Sequence, residues 1–338
     1  MNIGLCAWSF TSSHAEAGRA LNPHDPDGLR RLAQQHGLAA IEGASAWFAD
    51  WSQERRQEFG AMLAADGMGV FVDTGADYAK DISSLLTAID VAADIGATLV
   101  RTTLSRVVEG DRRKFGREGW VAHLNGLVEP LKRAMSHADD HAIAVGIENH
   151  QDLCSHELVE LAEAVSSDGL GVTLDCGNTY AVGETPESFV TRIMPILKHV
   201  HLKDYQVHPT NQGFRLKRCP LGEGIVDWVQ LLGQIDARTA ASGTSVAGCI
   251  ELGASTTRHI RIFNEDWWGT FPDRPFHEGL NAIADLHRAA RPADEDWRTP
   301  HEREESALLR ADYELEQIRR SVEHLRQVEL LPAVSTQR

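Results

Sequence analysis

The chain has 338 residues, 42% of them hydrophobic and 24% charged, enough for one large globular domain or two ordinary ones. Its 33 basic and 49 acidic residues leave a net charge of −16, which disfavours nucleic acid as a partner and suits a small neutral substrate. No run approaches the roughly 18 to 20 apolar residues of a membrane helix. The opening MNIGLCAWSF lacks the basic start of a secretory signal, and five scattered cysteines form no CxxC pair, so no membrane association and a reducing cytoplasm are expected.

In chain order, short apolar segments alternate with amphipathic ones. NIGLC (2–6) precedes a helical pattern near 26–36, LAAIE (38–42) one near 53–65, and MGVFVD (68–73) one near 81–95. ATLVRT (97–102) precedes a longer pattern near 117–139, AIAVGIEN (142–149) one near 155–166, and LGVTLD (170–175) one near 185–197. HVHLK (199–203) leads through a long connection to 226–237, and SVAGCIEL (245–252) to a helix near 278–290. Eight such units, with strands apolar on both faces, predict a parallel sheet closed into a (β/α)8 TIM barrel over residues 1–291. The competing open, doubly wound sheet would want a glycine-rich phosphate loop after its first strand, and CAWSFTSS has no GxGxxG.

Two stretches, 205–224 and 253–276, exceed plain barrel connections and read as long loops on the catalytic face. Residues 292–338 read as a C-terminal helical extension. There Ala311, Leu315, Ile318, Val322 and Leu325 make a stripe with charges on the other faces. That stripe fits packing on its own barrel, or on a second copy in a homo-oligomer.

The chemistry lies at strand ends. In VGIENH an apolar run stops in Glu148, Asn149 and His150, and residues two apart on a strand face the same way. Asp175 closes the sixth strand, His201 lies near the end of the seventh, and Glu251 closes the eighth. Successive separations of 27, 26 and 50 residues put the four at equivalent heights on adjacent strands. Three carboxylates and one imidazole predict a hard, mostly oxygen site for one divalent metal, with Mn²⁺ favoured and Mg²⁺ or Co²⁺ as alternatives. Lys203 should face the same site and could stabilise an oxyanion, and His150 is a candidate acid/base or substrate contact. Glu42 at the second strand end could bind a substrate hydroxyl, and Trp8 could floor the pocket. Arg218, from KRCPLGEG, is a loop candidate for substrate binding, and Trp267 and Trp268 could stack on a sugar ring or equally form a hydrophobic seal under a lid or at a subunit contact.

The motifs GIENH, TLDCGN, HVHLKD and IELGA, in this order, resemble the xylose isomerase-like TIM barrel superfamily, nearest its sugar phosphate isomerase/epimerase branch, over roughly residues 1–290. The resemblance implies a divalent metal on Glu148, Asp175, His201 and Glu251. It also implies, by analogy with ketose 3-epimerases, that Glu148 and Glu251 exchange the substrate proton. Those epimerases carry a histidine three residues after the metal aspartate. Here the position is Asn178, which can bind a hydroxyl but cannot accept a proton at neutral pH. The Asn form is similar to dehydratases and C-glycoside-cleaving enzymes, some of which are hetero-oligomers, so a partner subunit is an alternative to the homo-oligomer. The superfamily's DNA-repair branch, with three metals and more histidines, fits neither the acidic charge nor Asn178.

A metal chelated by a carbonyl and its neighbouring hydroxyl stabilises the enediolate left by proton abstraction. Return of the proton to the other face gives epimerisation, its transfer to the next carbon gives isomerisation, and loss of a β-substituent gives elimination. The expected activity is therefore a metal-dependent isomerase or epimerase of a sugar or keto-sugar. A lyase using the same intermediate is the alternative, and a non-catalytic metal- or sugar-binding barrel is a third reading.

Overall fold

The computed structural model describes residues 1–75, 78–243, 245–253 and 255–332. The chain opens with β1 (Ile3–Cys6), β2 (Ala40–Ala44), β3 (Gly69–Gly75), β4 (Leu99–Thr103), β5 (Ala144–Glu148), β6 (Leu170–Asp175) and β7 (Leu197–Leu202). A hairpin, β8 (Asp204–Thr210) and β9 (Gly213–Cys219), follows before β10 (Ala247–Ile250) and the short β11 (Arg258–Ile260). Eight of these close a parallel barrel in the order β1-β10-β7-β6-β5-β4-β3-β2. The segment predicted as the eighth strand is β10, displaced in number by the hairpin.

The barrel helices are α1 (Pro26–Gln35), α2 (Gln53–Ala65), α3 (Ser83–Ile95), α4 (Gly116–Asp140), α5 (Ser155–Val165), α6 (Pro186–Ile193) and α7 (Trp228–Ser242). The short α8 (Glu265–Trp268), then α9 (Phe276–Arg288) and α10 (Ala307–Gln327), complete the chain. Helix starts are written locally. Asp25 before Pro26 and Thr185 before Pro186 accept the backbone N–H three residues on, and Ser306 does the same for α10. Each such cap is worth about 1 kcal/mol. The barrel strands are buried on both faces, with β6 buried at every position, which is why they read as unbroken apolar runs.

The stretch 205–224 is not a loop. It holds the β8–β9 hairpin, which β11 joins on the far side of β9 to make a three-stranded antiparallel sheet above the barrel. In β9, Phe214 and Leu216 are buried while Arg215 and Lys217 are half-exposed, an alternation that the run of basic residues masks. The stretch 253–276 likewise contains β11 and α8.

α10 packs on its own barrel. Ala311, Ile318, Val322 and Leu325 are buried, and Leu315 packs against the core. The helix is also bolted down by polar groups. Glu314 accepts from Thr11 N (3.0 Å), Thr11 Oγ1 (2.8 Å) and Ser12 Oγ (2.9 Å) in the connection after β1. Tyr313 OH and Gln317 Nε2 donate to the Arg218 carbonyl at the end of β9 (3.4 and 3.3 Å). Ser321 Oγ accepts from Leu221 N (3.0 Å).

Candidate metal centre

Parallel register brings the predicted ligands level. Asp175 on β6 lies opposite His201 on β7, and His201 lies opposite Cys249 on β10. Glu251, one residue past β10, donates its N–H to Leu202 O (3.1 Å), and Glu148 closes β5. One donor atom from each of Glu148, Asp175, His201 and Glu251 lies within 4.8 Å of all the others, and all four residues are buried.

The imidazole is aimed. His201 Nε2 hydrogen-bonds both oxygens of Glu42 on β2, across the barrel (2.9 and 3.0 Å). This carboxylate places a proton on Nε2 and leaves Nδ1 as the atom facing the acids, 3.4 Å from Glu251 Oε2 and 3.8 Å from Glu148 Oε2. His201 Nδ1 and Glu148 Oε1 are buried without hydrogen-bond partners, while Glu251 Oε2 is held by Lys203. Buried carboxylate oxygens and an imidazole nitrogen converging on one point fit a divalent cation of the oxygen-preferring class. Burial pulls His201 down, but Glu42 and Glu251 outweigh it and push the imidazole up to about 9. Without a metal the ring is therefore an imidazolium held between two acids, and Nδ1 must give up its proton before it can bind a cation.

Two cations inside the cluster balance the acids. Lys203, fully buried, contacts Asp175 and lies 2.5 Å from Glu251 Oε2. Burial pulls its ammonium down, and the two carboxylates more than restore it. Arg101, in the middle of β4, contacts Glu148. Burial raises Asp175, whereas Lys203 and His201 hold Glu251 well below the usual carboxylate range against the pull of burial.

Above this cluster lies a cavity of about 1150 Å³ whose wall includes Trp8, His150, Arg218 and Glu251. Trp8 is half-exposed there. His150 Nδ1 has no partner, and burial together with Arg101 and Lys203 keeps the ring neutral, well below its usual range. Six cations, Lys80, Arg101, Arg106, Lys114, Arg218 and Arg258, line the cavity against the acids Asp73 and Glu251.

Two expectations need correction, and a third resolves between its alternatives. Glu42 has both oxygens engaged by His201 and His199, so it orients a ligand instead of meeting a substrate hydroxyl. Asn178 is buried off the cavity: its Nδ2 donates to Asp175 (2.6 Å) and its Oδ1 accepts from Gln151 and Tyr205 (3.0 and 2.9 Å), so it fixes a ligand. Trp267 and Trp268 donate to Glu109 O and Ile262 O and pack edge to face, sealing the outer sheet away from the cavity.

Asp73 and Arg101 were missed, although each is a charge two residues before the end of its strand, β3 or β4, and the two are directly opposite one another. A charge near the carboxyl end of a barrel strand was the available signal. Burial pushes Asp73 up to about 6. Arg258 was missed for lack of any strand signal around it.

The sequence model of the family described as Xylose isomerase-like TIM barrel matches residues 30–247. The uncharacterized protein YihM of Escherichia coli K12 is 24% identical over 212 residues, 61% of each chain. The 3-oxo-isoapionate decarboxylase of Pectobacterium atrosepticum is 25% identical over 100 residues, 29% of this chain and 36% of that one. The chain thus spans less than two thirds of the length of either curated relative. Among solved structures, D-psicose 3-epimerase with D-tagatose from Clostridium cellulolyticum H10 superposes with a TM-score of 0.57 at 13% identity, covering 86% of this chain and 99% of that one.

Proposed function

The chain belongs to the family of xylose isomerase-like TIM barrels, and from that premise we propose that it is a divalent-metal-dependent isomerase or epimerase of a sugar or keto-sugar. The observation that carries this reading is the convergence of Glu148, Asp175, Glu251 and the Nδ1 of His201, with Glu42 fixing the imidazole from behind. These four would hold the metal, with Mn²⁺ the cation best suited to three carboxylates and one imidazole. A bound divalent ion supplies polarisation of the substrate carbonyl and stabilisation of the charge that forms when the neighbouring C–H is lost.

The chain's own residues supply the proton chemistry. Glu148 and Glu251 reach the site from β5 and from the end of β10, with β6 and β7 between them. Carboxylates on two sides suit removal of a proton on one face and its return on the other. Lys203 keeps Glu251 ionised and ready to accept. His150, neutral and open to the cavity, is placed to relay a proton to a substrate oxygen. Trp8 and Arg218 form the wall that orients the sugar. The family fold of D-psicose 3-epimerase supports the epimerase form of this reading.

A lyase reading has one specific observation in its favour. Asn178 is spent on Asp175, Gln151 and Tyr205, so no proton carrier stands three residues after the metal aspartate. Proton loss followed by departure of a β-substituent needs one fewer proton return, and a curated relative is a decarboxylase.

The test is solvent deuterium. The Mn²⁺-loaded protein should incorporate it into a ketose beside the carbonyl, lose that ability on chelation and regain it on adding Mn²⁺. Equal mass in the product marks isomerisation, and loss of a fragment marks elimination. Full exchange after thorough chelation sinks the metal-dependent reading.

A further inference from the structure

The cavity wall is cationic in a chain whose net charge is −16. Two of the wall arginines, Arg218 and Arg258, make no direct ion pair with a carboxylate among the described residues. Arg258 on β11 pairs directly with Leu216 on β9, and Leu216 and Arg218 are two apart on β9. Both arginines therefore stand on one face of the outer sheet, and both line the cavity. Arg218 is only 7% exposed, and its Nε has no hydrogen-bond partner; the Nε of half-buried Arg258 is likewise orphaned. Among the described residues neither guanidinium forms an ion pair with an acid. The other buried arginines, Arg101 and Arg112, each face one, Glu148 and Glu157.

Two like charges kept close together, one of them buried, are costly unless an anion joins them. Arg218 is cushioned by the Tyr205 side chain, whose ring lies 6.0 Å from the guanidinium, and at longer range by Glu251 and Asp175, which are already engaged by Lys203. Burial and the neighbouring Arg218 both pull Arg258 down from its ordinary range, the mark of a cation short of a counter-charge. Guanidinium forks match the planar or tetrahedral oxygens of carboxylate and phosphate.

We propose that the substrate is an anionic sugar derivative whose carboxylate or phosphate docks between Arg218 and Arg258, leaving its carbonyl end to the metal centre below. This rests on the carbonyl chemistry proposed above. It reverses the neutral substrate expected from net charge, because net charge averages the whole surface while a cleft is governed by its own walls.

The experiment is calorimetric binding to the Mn²⁺-loaded protein of three matched ketoses: D-fructose, its 6-carboxylate and its 6-phosphate. At least one anion should bind about 10-fold tighter than D-fructose or better, and the two anionic arms tell carboxylate from phosphate. R258Q should remove most of that preference, about 10-fold or more, the size of a lost charge-assisted contact, and R258K should keep part of it. R218Q should do the same; if its circular dichroism shows it unfolded, the Arg258 pair decides. Equal binding of all three sugars, or a preference that survives R258Q, overturns the proposal. Deuterium exchange on the same sugars separates the two readings. An intact anion preference with no exchange in any sugar refutes the carbonyl chemistry and leaves the anion seat. Exchange into D-fructose without any anion preference refutes the seat and leaves the chemistry.

Discussion

The two halves of the barrel rim differ in what they contribute. The half made of β5, β6, β7 and β10 delivers the four converging donors Glu148, Asp175, His201 and Glu251. The half made of β1 to β4 delivers none of them, and instead sends partners across: Glu42 from β2 grips His201, and Arg101 from β4 meets Glu148. One half is thus a set of candidate ligands and the other a set of braces. The lesson is that His201 and Glu148 are braced from the other half, while Asp175 and Glu251 are held by Lys203 from their own, so ligand and brace substitutions should fail differently.

The largest effect should come from a ligand. D175N should abolish stoichiometric metal retention and lower deuterium exchange about 1000-fold or more, since Lewis-acid stabilisation is worth several kcal/mol; metal analysis of the purified protein with the exchange rate checks both. A brace such as Arg101 should act on stability first. R101Q leaves the buried Glu148 unpaired and should cost the metal-free protein about 3–5 kcal/mol, with a visibly smaller cost when Mn²⁺ is bound; denaturant melts with and without metal read the difference. Equal costs in the two states would erase the distinction between brace and ligand.

Glu42 sits between these extremes. E42Q should weaken metal affinity about 10- to 100-fold, as loss of an orienting carboxylate does, and activity should return at high Mn²⁺, which it should not for D175N. The smallest effect lies farthest from the centre. Burial raises the Glu314 carboxyl, but His14, Thr11 and Ser12 outweigh it and hold it below the usual range. A depressed folded value means stability present above the ordinary glutamate range and lost as pH falls through the lower folded value. E314Q should therefore cost about 1–2 kcal/mol at neutral pH and flatten the acid limb of the stability curve, as thermal melts across pH 3 to 6 would show.

The ligand half was legible because its signal is local and repeated: an apolar run that stops in a donor, recurring at the spacing of one strand–helix unit. GIENH, TLDCGN, HVHLKD and IELGA each carry it. The brace half was not, because its meaning lies in register across the barrel. Nothing near Glu42 in the sequence points to a histidine 159 positions away. Asp73 and Arg101 lie two residues before the ends of β3 and β4, and a lone charge near a strand end has ordinary uses in capping and on the surface. The outer sheet was hidden for another reason. Basic residues fill β9, and β11 is three residues long, too short for any period to register. The C-terminal stripe was legible as a helix, and only contacts with Thr11, Arg218 and Leu221 reveal that its own chain uses it up.

Lys203 is the sole residue between β7 and β8, so the hairpin grows directly from a ligand-bearing strand. Its foot is tied by the Asp204 carboxylate, which accepts from the N–H groups of Gly222 and Val226 and from the Trp228 indole (2.9, 3.1 and 3.1 Å). A side chain at Gly224 would collide with that carboxylate. An insertion without slack is no hinged cover. It spends little configurational entropy on capture, and it offers newcomers a finished mould: new specificities would arise by exchanging side chains on a stiff ribbon, with the catalytic floor left untouched.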